Sequence, residues 1–332
     1  MNSNILVLCD KEEEYAHHMS EYLKAQKEVP WKIHTYTDAE SLKEFALSTP
    51  IELLVVAESI YTEDMKNLSS AKVILLNESG VIRWDNIRNV NKYQRAENVY
   101  KEILSEYMEV TPKVLPRLSE ESHTRLIGFF TPVHRSLQTT FALTMGQMLA
   151  GKYKTLYLSF EFCAGNGELL SDVRTKDLAD LVYFLNTDKE RFLLRMQTII
   201  MKKGQMDYVP PARAGFMLPC IRTEEWLELL GQIIQSGEYD YVILDLSESI
   251  QGLLEILRMC YKIFTLLGDD RFARGKLAQY ERLLALSEYE DVLSKTSRYK
   301  PSRFRKIPEE IELLTKSDIA DYVRRIVGEV TF

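Results

Sequence analysis

The chain has 332 residues, enough at roughly 150 residues per domain for two separate cores, which excludes a disulfide-stapled miniprotein. With 45% hydrophobic and 27% charged residues the composition is globular, not disordered or fibrous. A net charge of −7 opposes general attraction to nucleic acid or an anionic membrane.

In chain order, the first third alternates short apolar runs with amphipathic stretches, the pattern of a parallel sheet wrapped by helices. Strands are predicted at Ile5 to Cys9, Lys32 to Tyr36, Leu53 to Ala57, Ala71 to Leu76 and, more weakly, Arg88 to Asn91. Helices are predicted from Lys11 to Gln26, Asp38 to Leu47 and Ala96 to Met108. Gly80 to Asn89 leaves little room for a helix, so one crossover helix is expected to be shortened or missing. Residues 109–122 carry Pro112 and Pro116 without periodicity, as a linker does between domains at 1–108 and 123–332. The alternation then resumes, with strands at Leu126 to Phe130, Thr155 to Phe160, Tyr241 to Leu246 and Ile263 to Leu267. Helices follow at Ser136 to Leu149, Leu253 to Met259, Phe272 to Leu286 and Lys316 to Val327. The face formed by Leu277, Tyr280, Leu283 and Leu284 is expected to be core.

Cys9, Cys163, Cys220 and Cys260 are far apart, lack the paired spacing of zinc sites, and read as reduced, mostly buried thiols. No metal site is expected. The opening MNSNILVLCDKEEE has no cationic stretch before a long apolar run, and no segment reaches about 18 consecutive apolar residues. The expectation is a cytoplasmic protein without direct membrane insertion, recruited to a cell pole or membrane-bound machinery through partners. His17 and His18, adjacent on a helix, cannot face one site together and read as surface residues.

The five-strand order of the first third resembles a flavodoxin/CheY-like receiver domain. In that family two acids after the first strand hold magnesium, an aspartate ending the third takes a phosphoryl group, and a Ser or Thr and a Lys end the fourth and fifth. Carboxylates suit both tasks, as oxygen ligands for a hard cation and as nucleophiles toward phosphorus. Here Cys9 and Asp10 stand at the acidic pair, Ala57 at the phosphoacceptor, Asn77 at the Ser or Thr, and Lys92 at the lysine, with Tyr93 where proline is usual. Glu58, one residue past the acceptor position, would project differently. Asp10 and Lys92 are expected to be solvated strand-end charges. The resemblance therefore implies a pseudo-receiver.

The segment Ile127 to Thr140 joins a strand to a helix and resembles the deviant phosphate loop of ParA/MinD-type ATPases, a P-loop NTPase-like (SIMIBI) doubly wound α/β fold. Val133 takes the signature lysine's place, His134, Arg135 and Leu137 replace three glycines, and Gln138 replaces the phosphate lysine; Thr139 and Thr140 remain. The cradle needs backbone N–H groups turned inward in conformations that side chains obstruct. The lysine compensates phosphate charge, and glutamine carries none. His134 and Arg135 are expected to fill the nucleotide's space or face solvent, with a lone-anion site as the alternative. Glu161 and Ser159 fall at the two acidic places after the second strand, and Asp245 at the magnesium-linked switch aspartate.

A receiver-like domain followed by a ParA/MinD-like domain is similar to the TadZ/CpaE family of pilus assembly proteins. That resemblance implies localisation of pilus machinery through protein partners, and the loss of the phosphoacceptor at Ala57 and of both lysines and all three glycines of the loop points to a non-catalytic scaffold, a homodimer independent of nucleotide, with no cofactor and no nucleic acid expected. The alternatives are a divergent ATPase switch using ATP and magnesium, and a DNA-binding partition relative. For the latter, Lys295 to Lys306 offers Lys295, Arg298, Lys300, Arg303, Arg305 and Lys306 around Tyr299 and Phe304. Pairing of those cations with acidic neighbours is the plainer expectation.

Overall fold

The computed structural model describes residues 5–26, 31–110, 123–133, 137–165, 176–300 and 307–330, except the side chains of 70–71 and 109–110. The chain divides into two compact units, residues 1–117 and 118–332.

In the first unit the described elements are β1 (Ile5–Cys9), α1 (Glu13–Ala25), β2 (Lys32–Tyr36), α2 (Ala39–Ser48), β3 (Ile51–Ala57), β4 (Ser69–Asn77), β5 (Arg88–Asn91) and α3 (Ala96–Val110). The strands form one parallel sheet in the order β2-β1-β3-β4-β5, the flavodoxin-like order. β1 and β3 lie inside it with helices over both faces, so their sequences are apolar runs, broken in β3 only by Glu52; all five residues of β1 are buried. Fully burying each such Leu, Ile or Val contributes about 1.5–3 kcal/mol. α1 turns Ala16, Met19 and Leu23 inward at helical spacing, and the Asp38 side chain caps α2 by accepting from Ser41 N at 2.8 Å.

Two crossovers lack an α-helix, where one was expected. β3 reaches β4 through a single 3-10 turn, Glu63–Asn67, and β4 reaches β5 without any helix. In the second connection Asn77 organises the turn, its Oδ1 accepting from Gly80 N at 2.6 Å and its Nδ2 donating to Val81 O at 2.8 Å. Trp84 then packs edge-on against Tyr61 at 5.0 Å and, with Ile87, covers the apolar sheet face a helix would have covered. A cleft of about 600 Å³ lies beside this connection; among its charged lining residues, Lys72 and Arg88 are both paired to Glu106.

The second unit contains β6 (Arg125–Phe129), α4 (Gln138–Ala150), β7 (Thr155–Ser159), α5 (Leu178–Thr187), α6 (Phe192–Ile199), β8 (Met201–Lys203), β9 (Met206–Tyr208), α7 (Thr223–Ser236), β10 (Tyr241–Asp245), α8 (Leu253–Met259), β11 (Lys262–Leu266), α9 (Arg271–Leu286), α10 (Glu290–Lys295), β12 (Thr296–Tyr299) and α11 (Asp318–Val327). Its seven strands run β12-β11-β6-β10-β7-β9-β8, all parallel except β8 against β9. Two apolar cores cover the two faces: Trp226, Leu229 and Ile233 of α7 belong to one, Phe141, Met145 and Leu149 of α4 to the other. From β6 the chain moves past β10 to β7, returns to β10, and then crosses to β11 on the other side. The loops after β6 and β10 consequently diverge at the switch point of an open α/β sheet, where ligand sites of such sheets lie.

Two expectations need correction. Cys9 and Cys260 are buried, and burial pushes each thiol up to about 12, but Cys163 and Cys220 are exposed. In α9 Leu284 is buried and Leu277 and Tyr280 half-buried, whereas Leu283, a hundred degrees round the helix from Leu284, faces solvent. Over its described part the Lys295 to Lys306 stretch includes an edge strand, Thr296–Tyr299, and its cations are partnered, in line with the plainer expectation. Lys295 donates to the Arg258 carbonyl at 2.8 Å, Arg298 pairs with Glu281 and Lys300 with Asp269. Arg303, Arg305 and Lys306 lie outside the described residues.

Candidate functional sites

In the second unit the strand ends bring four residues singled out in sequence to one place. β10 pairs with β7 so that Asp245 lies beside Ser159, and with β6 so that it lies beside Phe129. The loop after β6 then turns into α4, whose first residues face this end of β10. Gln138 Nε2 donates to Asp245 Oδ1 at 2.7 Å and to the Leu246 carbonyl at 2.9 Å, and stands 3.5 Å from Glu161 Oε1. The Thr139 hydroxyl and Tyr157 Oη, the latter at 3.0 Å from Oδ2, also hydrogen-bond to Asp245. Thr140 is not part of this cluster; its carbonyl accepts from Thr144 Oγ1 one turn along α4.

Asp245 is fully buried. Burial raises its carboxyl above the ordinary range, against the opposing effect of the hydrogen bonds from Gln138, Thr139 and Tyr157. Glu161, half-buried, is raised to about 7 by burial first and then by the charges of Asp245 and Glu248. Tyr157 is raised well above its usual value by burial and by Asp245, so it acts here as a hydroxyl donor. Ser159 Oγ is buried at the same strand end, beside Tyr157. Among the described residues, the donors on Asp245 are neutral.

The loop keeps one trace of the conformation that glycines serve. Leu137, at a position the phosphate-loop resemblance gives to glycine, has φ 61° and ψ 25°, in the left-handed region. Val133, at the signature-lysine position, packs into the loop with its N–H 3.3 Å from Thr131 Oγ1, while Thr131 donates to the Leu266 carbonyl. His134 and Arg135 lie outside the described residues. The Phe162 carbonyl approaches Gly215 so closely that a Cβ there would stand 1.8 Å from that oxygen.

In the first unit the expectation for Asp10 and Lys92 is overturned: neither is solvated, with relative exposures of 0% and 1%. Lys92 follows β5, its N–H donating to the Asn77 carbonyl at 2.9 Å, and this turns its side chain into the sheet end. Nζ donates to Asp10 Oδ1 at 2.9 Å, Glu12 Oε1 at 2.8 Å and Glu78 Oε1 at 3.0 Å. The Tyr15 and Tyr93 rings flank the ammonium, with centroids at 4.8 and 5.6 Å. Burial alone would lower the lysine; the hydrogen bonds to Glu12, Asp10 and Glu78 outweigh it and hold the ammonium above its usual range. Cys9 and Ala57 are fully buried core residues, and Asn77 is occupied by the turn described above. Glu58 pairs with Arg83 and accepts from Ser79. His17 and His18 are exposed on α1.

Sequence reasoning missed Tyr157, Glu12, Glu78 and Tyr15, and marked Tyr93 only as standing where proline is usual. Tyr157 stands two residues before Ser159 on the same strand face, Glu78 directly follows Asn77 and Glu12 stands two residues after Asp10; strand alternation and strand ends were the signals available.

No protein-family model matches the chain, and no curated protein does. Among solved structures it is similar to a ParA family ATPase from Chlorobium tepidum TLS, at 16% identity over 62% of this chain and 89% of that one, with a TM-score of 0.44. A plasmid partition protein from Borrelia burgdorferi shows 13% identity over 62% of this chain and 97% of that one, TM-score 0.44. A chain of the MinC:MinD cell division protein complex of Aquifex aeolicus shows 15% identity over 63% and 98%, TM-score 0.43.

Proposed function

We propose that the chain is a non-catalytic scaffold: a receiver-like unit without a phosphoacceptor, followed by a ParA/MinD-like unit whose phosphate site is closed by its own side chains. The carrying observation is the set of contacts on Asp245. A magnesium-linked aspartate must offer its oxygens to the ion or its waters, yet here Gln138, Thr139 and Tyr157 all donate to this one fully buried carboxyl. Gln138, where a lysine would meet phosphate, is instead turned back onto Asp245 and the Leu246 carbonyl and brings no charge. Two carboxyls, Asp245 and Glu161, face the same space and disfavour a polyanion. The described residues do not fit a magnesium nucleotide.

The order of the two units supports the resemblance to TadZ/CpaE-type proteins, and the function follows as localisation of pilus assembly machinery through protein contacts. The protein acts as a homodimer whose formation needs no nucleotide. The test is isothermal titration of the full chain with Mg-ATP and with Mg-ADP. No heat of binding is expected, and a micromolar Kd for either overturns the reading. The second reading, a divergent nucleotide switch, predicts that same Kd together with its loss on Asp245→Ala.

A further inference from the structure

The pocket around Lys92 holds a cation that belongs to the chain. Three carboxylates converge on it from two loops: Asp10 and Glu12 between β1 and α1, and Glu78 after β4. One oxygen of each lies within 4.8 Å of the others, a spacing suited to a hard divalent ion with oxygen ligands at 2.0–2.6 Å. Three such charges repel one another unless a cation lies between them, and here the Lys92 ammonium does, with its side chain wholly out of solvent. A lone buried lysine would be expensive; partners on three sides make it tolerable. Further contacts fix its place. Asp10 Oδ1 accepts the Glu12 N–H at 2.9 Å, Tyr93 Oη donates to Glu12 at 3.3 Å, and Tyr15 Oη reaches the Lys92 carbonyl at 3.4 Å.

We infer that Lys92 is a built-in substitute for a divalent cation: its ammonium ties the loops after β1, β4 and β5 into one ligand-independent arrangement and keeps metal ions out of the Asp10, Glu12 and Glu78 pocket. The inference rests on reading the first unit as receiver-like without a phosphoacceptor. It assigns Lys92 a positioning role, not a catalytic one. A chain using this pocket conditionally would need an ion to assemble these loops; this chain carries the ion covalently, so their geometry does not depend on ionic conditions.

The experiment compares the full-length wild type with Lys92→Met, Lys92→Gln and Lys92→Met/Asp10→Asn, by thermal unfolding in chelator and with millimolar Mn²⁺, and by Mn²⁺ titration followed by electron paramagnetic resonance. Wild type should neither bind Mn²⁺ nor change its Tm. Lys92→Met should melt lower in chelator and regain several degrees with the ion, by mass action on the folded state. Its Mn²⁺ affinity should exceed wild type's by at least about tenfold and fall again with Asp10→Asn. Lys92→Gln, which keeps a polar end for the carboxylates, carries the same expected Mn²⁺ response and serves in place of Lys92→Met if the latter folds poorly. Mn²⁺ binding by wild type overturns the inference, as does failure of both single variants to bind the ion. Phosphate incorporation from acetyl phosphate into wild type would instead overturn the reading beneath it, and the two failures are told apart by that readout.

Discussion

Replacing Leu137 by Gly and, separately, by Ala measures how much strain the loop before α4 retains. Leu137 sits at φ 61°, where an L-residue is disfavoured by about 1–2 kcal/mol. Its side chain packs, half-buried, against the core containing Phe141 and Met145. Both substitutions remove that packing almost equally, so the lost contact cancels in the difference between them. What remains is the strain, which Ala keeps and Gly sheds, set against the extra freedom Gly gives the unfolded chain, roughly 0.5–1 kcal/mol. The balance favours Gly by about 0.5–1 kcal/mol, the reverse of the order in an ordinary helical position. Urea denaturation followed by far-UV circular dichroism, with buried Trp226 as a fluorescence probe of the second unit, reads the difference from the midpoints at constant m-value. Ala more stable than Gly by about 0.5 kcal/mol, as at unstrained positions, would refute a retained left-handed turn.

Glu161, raised from 4.5 to about 7, binds its proton more tightly when folded. Stability should therefore be lost as pH rises between about 4.5 and 7 and level off above, by about 1–3 kcal/mol. Because other carboxylates act oppositely, the readout is the difference from Glu161→Gln at pH 5 and pH 8, and parallel curves would contradict the assignment. Gly215→Ala would set a Cβ 1.8 Å from the Phe162 carbonyl oxygen and 2.8 Å from its carbon. The backbone must shift, so a loss of about 1–3 kcal/mol is expected, and a change within about 0.5 kcal/mol would show that the approach is not tight.

The first strands were the most legible part of the fold. Ile5–Cys9 and Lys32–Tyr36 match their sequence bounds, because an apolar run or an alternating one between polar turns is a local signal. The stretch between β7 and β10 was not read as elements for several reasons. β8 and β9 have three residues each, too few to show a period. α5 and α6 are apolar over much of their circumference, so their faces do not separate; α7, with Trp226, Leu229, Leu230 and Ile233 at helical spacing, was readable and was passed over. β12, with Thr, Ser and Arg, forms because β11 offers it a ladder, a tertiary cause that sequence does not carry. At the sites, residue types were legible but burial was not. Asp10 and Lys92 look like any strand-end charges until the register of β1 and β5 places them together, 82 residues apart. Gln138 was read only as a missing lysine, and what it does instead, bridging toward Asp245 and Glu161, required the fold.

The strand order of the second sheet also sets a timetable. β6 is central and has β10 and β11 as its neighbours, yet its partner for Arg125 is Tyr241, 241 − 125 = 116 residues later. At roughly 5–20 residues per second, a ribosome leaves β6 without either neighbour for on the order of ten seconds. Arg125 and Tyr241 both donate to the Val330 carbonyl, so the last tie waits longer still. In the first unit β1 has both neighbours by residue 57. The first sheet can close while the second is still half made, and nascent chains stalled before residue 241 should present a bare apolar β6 to chaperones.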